Sequence, residues 1–434
     1  MLGMYRTIFK EIENTVKKYL NELKARFCEI ANDDTRATVG TRDLVAALVF
    51  CFARDRGNVR SLDCIRKSIQ TVLNVTISRG AFWERLATKK LHKILEKTVT
   101  SMIQDLASNV SVTTHLLSAL GVNAILLLDS SSSGLPKAAK KKFPAPRNNV
   151  APAAIKLHMC FDLFRGAVSW FKLTPATTHD RKGFPPLELL VGKLIIFDLG
   201  YWDYLLLLEI MKAGGFFLTR VKCNAVIEVL KIIEGLPKAN FEGHLLFNRR
   251  LPKKKSKIIE VLGQFSQNGK PLFSARVIGF WNPISKHYHW YVTNLLVPAK
   301  LIYPLYRLRW QIELVFKAFK SCLRLADLPS ANSEIIHVLV YAALIANMIA
   351  HPIAHYLVLE GKQEERMTPS LQRAGMVMVH CARAFIGFIM STSVSSYKVL
   401  RKKLLLLRKE LFDPNWNRRE SAIVRTIRLA EYYA

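Results

Sequence analysis

Four residues near position 310 combine side chains suited to chemistry on a phosphate backbone. Tyr306, Arg309, Glu313 and Lys320 fall at offsets of 0, 3, 7 and 14. On one α-helix, at about 100° per residue, they share roughly a 60° stripe. Ile312, Val315, Phe316 and Phe319 turn mostly to the other side, where a core can take them. One helix edge thus presents a metal-capable carboxylate flanked by two permanent cations and a phenol. A polar stripe on an amphipathic helix is ordinarily a solvated face, so the stripe needs partners to mean more. Two are in the sequence. Ala124-Ile125-Leu126-Leu127-Leu128 is an apolar run ending at Asp129, and Leu194-Ile195-Ile196-Phe197 is another ending at Asp198. Functional groups gather at strand ends in open α/β sheets. A lone Asp after a strand is usually a turn residue. Two of them plus Glu313 make a three-carboxylate set, which cannot stay ionised when buried without cations. Hard oxygen ligands favour Mg²⁺ or Mn²⁺. Two such ions suit phosphodiester cleavage and transfer, activating the attacking oxygen and stabilising the leaving one.

The elements that must position these groups can be read from texture. Residues 1–118 read as helical, with apolar residues at three and four spacing through Thr7–Phe27, Leu44–Ala53 and Phe82–Leu106, and with Ser78 as an N-cap. Arg54, Arg56, Arg60, Arg66 and Lys67 make this a candidate DNA-binding region. A helical cap on a larger domain is the competing reading. From Asn123 strands dominate: the run to Asp129, Ile155–Leu163 and Ala167–Leu173 about an Arg165-Gly166 turn, then Leu194–Phe197 and Phe216–Val221. A short helix is expected at Leu187–Val191 and a longer one at Tyr201–Ala213. Three strands in a meander, then alternating helix and strand, is the order of a ribonuclease-H-like α/β core. A β insertion is expected at about 235–300, with strands at Ile258–Leu262, Phe273–Ile278 and His289–Asn294. The expected fold is therefore α/β: a ribonuclease-H-like catalytic core over 119–335, flanked by helical regions at 1–118 and 336–434.

Composition points to a polyanionic partner. The 434 residues carry 64 Lys and Arg against 33 Asp and Glu, a formal charge of +31, which attracts polyanions and releases their counterions on binding. Lys137, Lys140, Lys141, Lys142 and Arg147 crowd a Pro-containing loop at 130–154, and a second cluster runs from Arg249 to Lys257 through Lys254. Lysine runs are usually solvated loops, but two of them inside a carboxylate-bearing core favour DNA contact. The seven cysteines are scattered without a Cys-x-x-Cys pair, which argues against a zinc site or a disulfide framework and fits a reducing compartment. No signal peptide is read at the N-terminus. Ile335–Leu359 is apolar and long enough to span a bilayer, yet His337, Asn347, His351 and His355 are costly in lipid. A buried helix is expected there, and no membrane partner.

The motifs together resemble bacterial insertion-sequence transposases of the DDE superfamily, of the IS-four type with its Tyr-Arg-Glu-Lys signature. Asp129-Ser130-Ser131-Ser132, Lys156-Leu157-His158, Asp198-Leu199-Gly200-Tyr201 and Tyr306-x2-Arg309-x3-Glu313-x6-Lys320 carry the resemblance, over roughly residues 120–330. It implies cut-and-paste transposition, with Asp129, Asp198 and Glu313 catalytic and binding two Mg²⁺ or Mn²⁺. Water and then a freed 3′-OH attack phosphodiesters at the element ends. Tyr306, Arg309 and Lys320 grip phosphates, Arg as a planar fork and Lys as a point charge. Trp290, or alternatively Trp281, receives a flipped base, which needs an aromatic surface; a core tryptophan is the competing reading for each. Double-stranded DNA with terminal inverted repeats, a homodimer in the DNA complex and a cytoplasmic, nucleoid-associated location follow. A silent DNA-binding relative and a nuclease without strand transfer are the alternatives.

Overall fold

A computed structural model describes residues 17–31, 37–51, 61–109, 115–146, 152–248, 251, 256–321, 328–359, 371–391 and 393–411. Among the described residues nine strands form one sheet. They are β1 (Ile125–Leu135), β2 (Ala153–Asp162), β3 (Ala167–Pro175), β4 (Leu194–Ile196), β5 (Phe216–Arg220), β6 (Ile227–Glu234), β7 (Ile258–Gln267), β8 (Lys270–Asn282) and β9 (His287–Thr293). Their order is β3-β2-β1-β4-β5-β9-β8-β7-β6. β1, β2 and β3 make an antiparallel meander, and β1, β4 and β5 run parallel. The meander turns at Gly166, whose φ of 62° suits a residue without a side chain.

The expected β insertion begins earlier than 235. Ile227–Glu234 forms β6, and β9 pairs with β5, so β6 to β9 extend the same sheet. The mixed apolar and charged spacing of Ile227–Glu234 hid this edge strand. A second difference concerns Asp129. The strand does not end there but runs on to Leu135, because β2 pairs with β1 through Leu135. What does end is the pairing with β4, which covers only Ile125 to Leu127.

Both faces of the sheet are covered. Ile125, Leu127, Ile196, Leu218 and Tyr291 share a core with Ile312, Val315, Phe316 and Phe319 of the helix Trp310–Ser321. On the opposite face Leu126, Leu128, Ile195, Phe197 and Phe217 pack with Leu206, Leu207 and Ile210 of the helix Tyr204–Lys212. Alternating side chains along each strand make this possible. Burying each of these side chains stabilises the fold by roughly 1.5–3 kcal/mol.

The first core also takes in helices from both ends of the chain. Residues 17–28 are helical, followed by Thr41–Cys51, Leu62–Leu73, Arg79–Leu86, Lys89–Asn109 and His115–Leu120. Ser78 does cap its helix, its side chain accepting from the Ala81 amide at 3.2 Å. Beyond the sheet come Ser333–Leu359, Leu371–His380, Ala382–Met390 and Val394–Leu406. Phe50 and Phe385 stack at 4.9 Å across these groups. The helix Ser333–Leu359 is long and apolar enough to cross a membrane, but 83% of its Ser333–Ala350 stretch is buried inside the protein.

Candidate active site

The parallel pairing of β1 with β4 aligns Leu127 with Ile196. Two residues further along, the same register brings Asp129 beside Asp198, both on the face covered by Trp310–Ser321. Among the described residues no strand lies against that flank of β1 beyond Leu127, so the two carboxylates emerge at a gap. Asp198 Oδ1 accepts from the Gly200 amide at 2.7 Å. Asp129 Oδ1 accepts from the Ser130 amide at 2.8 Å.

The third carboxylate comes from a helix that differs from expectation. The signature does not lie on one continuous helix. Ala299–Arg307 ends just after Tyr306, and Trp310–Ser321 begins just after Arg309. The joint is a tightened turn, with the Arg309 amide bonding Tyr306 O, and Gln311 bonding Leu308 O. Such three-residue bonding keeps the chain winding, so Tyr306, Arg309 and Glu313 still face the sheet edge together. Lys320 is exposed in the last turn, about 10 Å along the axis from Glu313 at 1.5 Å per residue.

Arg309 ties the carboxylates together. Its guanidinium donates from Nη1 to Asp129 Oδ2 at 3.2 Å and from Nη2 to Glu313 Oε1. Burial works against its charge, but Glu313, Tyr306 and Asp129 outweigh it and raise its pKa. Its Nε is buried without a partner. Burial pushes the Asp129 carboxyl up to about 6; the Ser130 amide and Arg309 oppose this, while the negative charges of Asp198 and Glu313 add to it. The three carboxylates therefore sit within one another's fields. Among the described residues no three acidic, His or Cys side chains are drawn tightly enough to chelate an ion as they stand; Asp129 and Glu313 are instead bridged by Arg309. A half-buried carboxylate in the field of two others is chemically suited to a hard divalent cation.

Tyr306 packs on Tyr291 at 4.9 Å between ring centroids, and burial raises its pKa. Arg220 was missed in the sequence. It ends β5 where the β4–β5 register places it beside Asp198, pairs with Tyr291, and is exposed with no ion pair among the described residues. Its position directly after an apolar strand, like the two aspartates, was the available signal. Trp310 was also passed over; it is 57% exposed between Arg309 and Glu313 in the chain.

The structure does not bring Trp290 to the carboxylates. Tyr291 faces Tyr306, so its neighbour Trp290 points to the other face of the sheet. There it lies over Gly279 and meets Phe247 edge-on at 5.5 Å. Trp281 packs on Tyr288 at 5.1 Å. Lys140, Lys141 and Lys142 are exposed in the turn after Lys137–Ala139. Lys254 lies outside the described residues.

A family model for the transposase DDE domain matches residues 121–349, the stretch that carries all three carboxylates. The chain belongs to this family. The transposase for insertion sequence element IS1151 of Clostridium perfringens is 24% identical over 289 residues, 56% of this chain and 60% of that protein. The transposase for IS231F of Bacillus thuringiensis subsp. israelensis is 23% identical over 329 residues, 65% of this chain and 66% of that protein. The chain thus spans 60% and 66% of the length of these two curated relatives. A cryo-EM structure of a piggyBac transposase synaptic complex with hairpin DNA overlaps 90% of this chain and 81% of that one, with TM-score 0.45 and 12% identity.

Proposed function

We propose that this chain is an insertion-sequence transposase of the IS-four type that cuts DNA at the element ends and joins them to a target. Its strand order 3-2-1-4-5 with an antiparallel continuation is the reading we give to a ribonuclease-H-like core. The observation that carries the proposal is the bridging of Asp129 and Glu313 by the Arg309 guanidinium, with Asp198 close enough for its charge to act on Asp129. Asp129, Asp198 and Glu313 would hold two Mg²⁺ or Mn²⁺ ions, which supply Lewis-acid charge for phosphodiester attack when bound.

The chain's own residues prepare for that chemistry. Arg309 offsets repulsion among the carboxylates, and its buried, unpartnered Nε offers a donor for a phosphate oxygen. Tyr306 walls the site beside Arg309, and Arg220 adds a cation beside Asp198. These groups would seat the scissile backbone against the carboxylates. Lys320 and Lys140–Lys142 extend the cationic track along the duplex, and the net charge draws the duplex in. Pairing of two element ends requires a homodimer in the DNA complex, and the helical regions at 1–118 and 336–434 are the candidates for DNA and partner contact.

The test is cleavage and joining of DNA bearing the element's terminal inverted repeats with Mg²⁺ or Mn²⁺. Glu313→Gln is expected to abolish cleavage while binding DNA without metal as the wild type does. Normal cutting by that variant would overturn the site assignment. A gel shift without metal-dependent nicking would identify a silent DNA-binding protein, and nicking without joined products a nuclease.

A further inference from the structure

We propose that Asp180 is a positioning residue of this active site: from outside the three-carboxylate set it fixes the backbone on which Asp129 and Asp198 are mounted. The proposal rests on the transposase reading above. Asp180 begins the 3-10 turn Asp180–Gly183, which packs against the 3-10 turn Leu199–Tyr201 that follows Asp198.

Its two oxygens do different things. Oδ1 accepts from Ser130 Oγ at 2.8 Å and from Lys156 Nζ at 3.1 Å. His158 Nδ1 stands 3.9 Å from the same oxygen. Ser130 is the residue whose amide binds Asp129 Oδ1, so Asp180 holds the side chain of a residue whose backbone holds Asp129. Lys156 is itself anchored, donating to Thr178 O at 2.7 Å. Oδ2 faces Gly200. A Cβ on Gly200 would lie 2.9 Å from Asp180 Oδ2 and 3.1 Å from Asp198 Oδ1. The backbone of one glycine is thus held between the two carboxylates, and its amide is the one that binds Asp198.

The turn that carries Asp180 is firmly seated. A Cβ on Gly183 would come within 2.1 Å of the His158 ring. His158 is fully buried and bonds Thr174 Oγ1 at 3.0 Å through Nε2. Nothing larger than glycine fits between turn and sheet. The position needs a carbonyl-type oxygen that accepts from both an ammonium and a hydroxyl, and a carboxylate also balances the charge of Lys156. With those acceptors engaged, Asp180 acts through Ser130 and Gly200. Partners that orient ligating side chains typically change metal affinity 10–100-fold when removed.

The experiment is Mn²⁺ titration of the full-length protein by isothermal calorimetry, alongside DNA-end cleavage at varied Mn²⁺ and thermal unfolding in EDTA. Asp180→Ala should weaken Mn²⁺ binding about 10-fold or more, with cleavage largely restored at saturating Mn²⁺ and metal-free DNA binding unchanged. Ser130→Ala should reproduce the part of the loss carried by the Ser130–Asp180 hydrogen bond, and the double variant should be no weaker than Asp180→Ala, because both changes remove that bond. Asp180→Asn, which can still accept from Ser130, should recover much of the affinity. Wild-type Mn²⁺ affinity in Asp180→Ala would overturn the proposal. So would losses that multiply in the double variant, or parallel loss of Mn²⁺ affinity and metal-free DNA binding in Asp180→Asn and Ser130→Ala. Failure of the wild type itself to bind Mn²⁺ would instead overturn the transposase reading.

Discussion

Replacing Asp129 with Asn should make the metal-free protein more stable, and only above mildly acidic pH. Burial and the fields of Asp198 and Glu313 push the Asp129 carboxyl up to about 6 from an ordinary 3.8. Its side chain is 21% exposed, so solvent screens this only in part. The gap corresponds to about 3 kcal/mol at about 1.4 kcal/mol per pH unit. The sign follows from proton counting. Below about pH 4 the carboxyl is protonated in both folded and unfolded chains and contributes nothing. Between about 4 and 6 the unfolded chain releases the proton while the folded chain keeps it, so folding weakens as pH rises. Above about 6 the loss is complete. Asn carries no such penalty, and it also surrenders the charged bond from Arg309, so about 3 kcal/mol is the upper bound. The assay is urea unfolding of wild type and Asp129→Asn in EDTA, followed by tryptophan fluorescence from pH 4 to 8. His158 sharpens it. Burial pulls its pKa down to about 4 from 6.5, so its contribution to stability is lost as pH falls through that window, by about 3 kcal/mol. In the wild type the two slopes oppose each other. Asp129→Asn removes the opposing slope, and stability should climb from pH 4 to about 6.5, through His158 together with His289 and His337, whose pKa values burial also lowers. Parallel curves for the two proteins, or a variant less stable than wild type at pH 8, would refute the reasoning.

Other sites lead to further outcomes. Arg220→Ala should weaken metal-free DNA binding and reduce the slope of log affinity against log salt by about 1, the signature of one lost phosphate contact; an unchanged slope would remove Arg220 from the interface. Gly279→Ala should cost roughly 1–3 kcal/mol of stability by overpacking, since a Cβ there would lie 2.8 Å from the Trp290 ring. Denaturant unfolding reads it, and a neutral result would mean that the ring is free to move.

Much of the site was legible because its parts are local. Asp129 and Asp198 each follow an apolar run, and the signature offsets survive even though a tightened turn at Leu308–Arg309 interrupts the helix. What local pattern could not carry was pairing. That Asp129 stands beside Asp198 depends on which strand lies against β1 and in which register, and a contact between residues 69 apart leaves no periodic trace. The same holds for Asp129's place in mid-strand, since β1 continues because β2 is there to pair with it. Trp290 shows the converse. Its neighbour Tyr291 packs on the signature tyrosine, and strand alternation then turns Trp290 away; the parity was visible, but which face held the site was not. Asp180 left the weakest trace, as one acidic residue in a loop where turn residues are expected. Its proposed role arises only where the fold presses its turn onto Ser130 and Gly200, between the two aspartates singled out in the sequence.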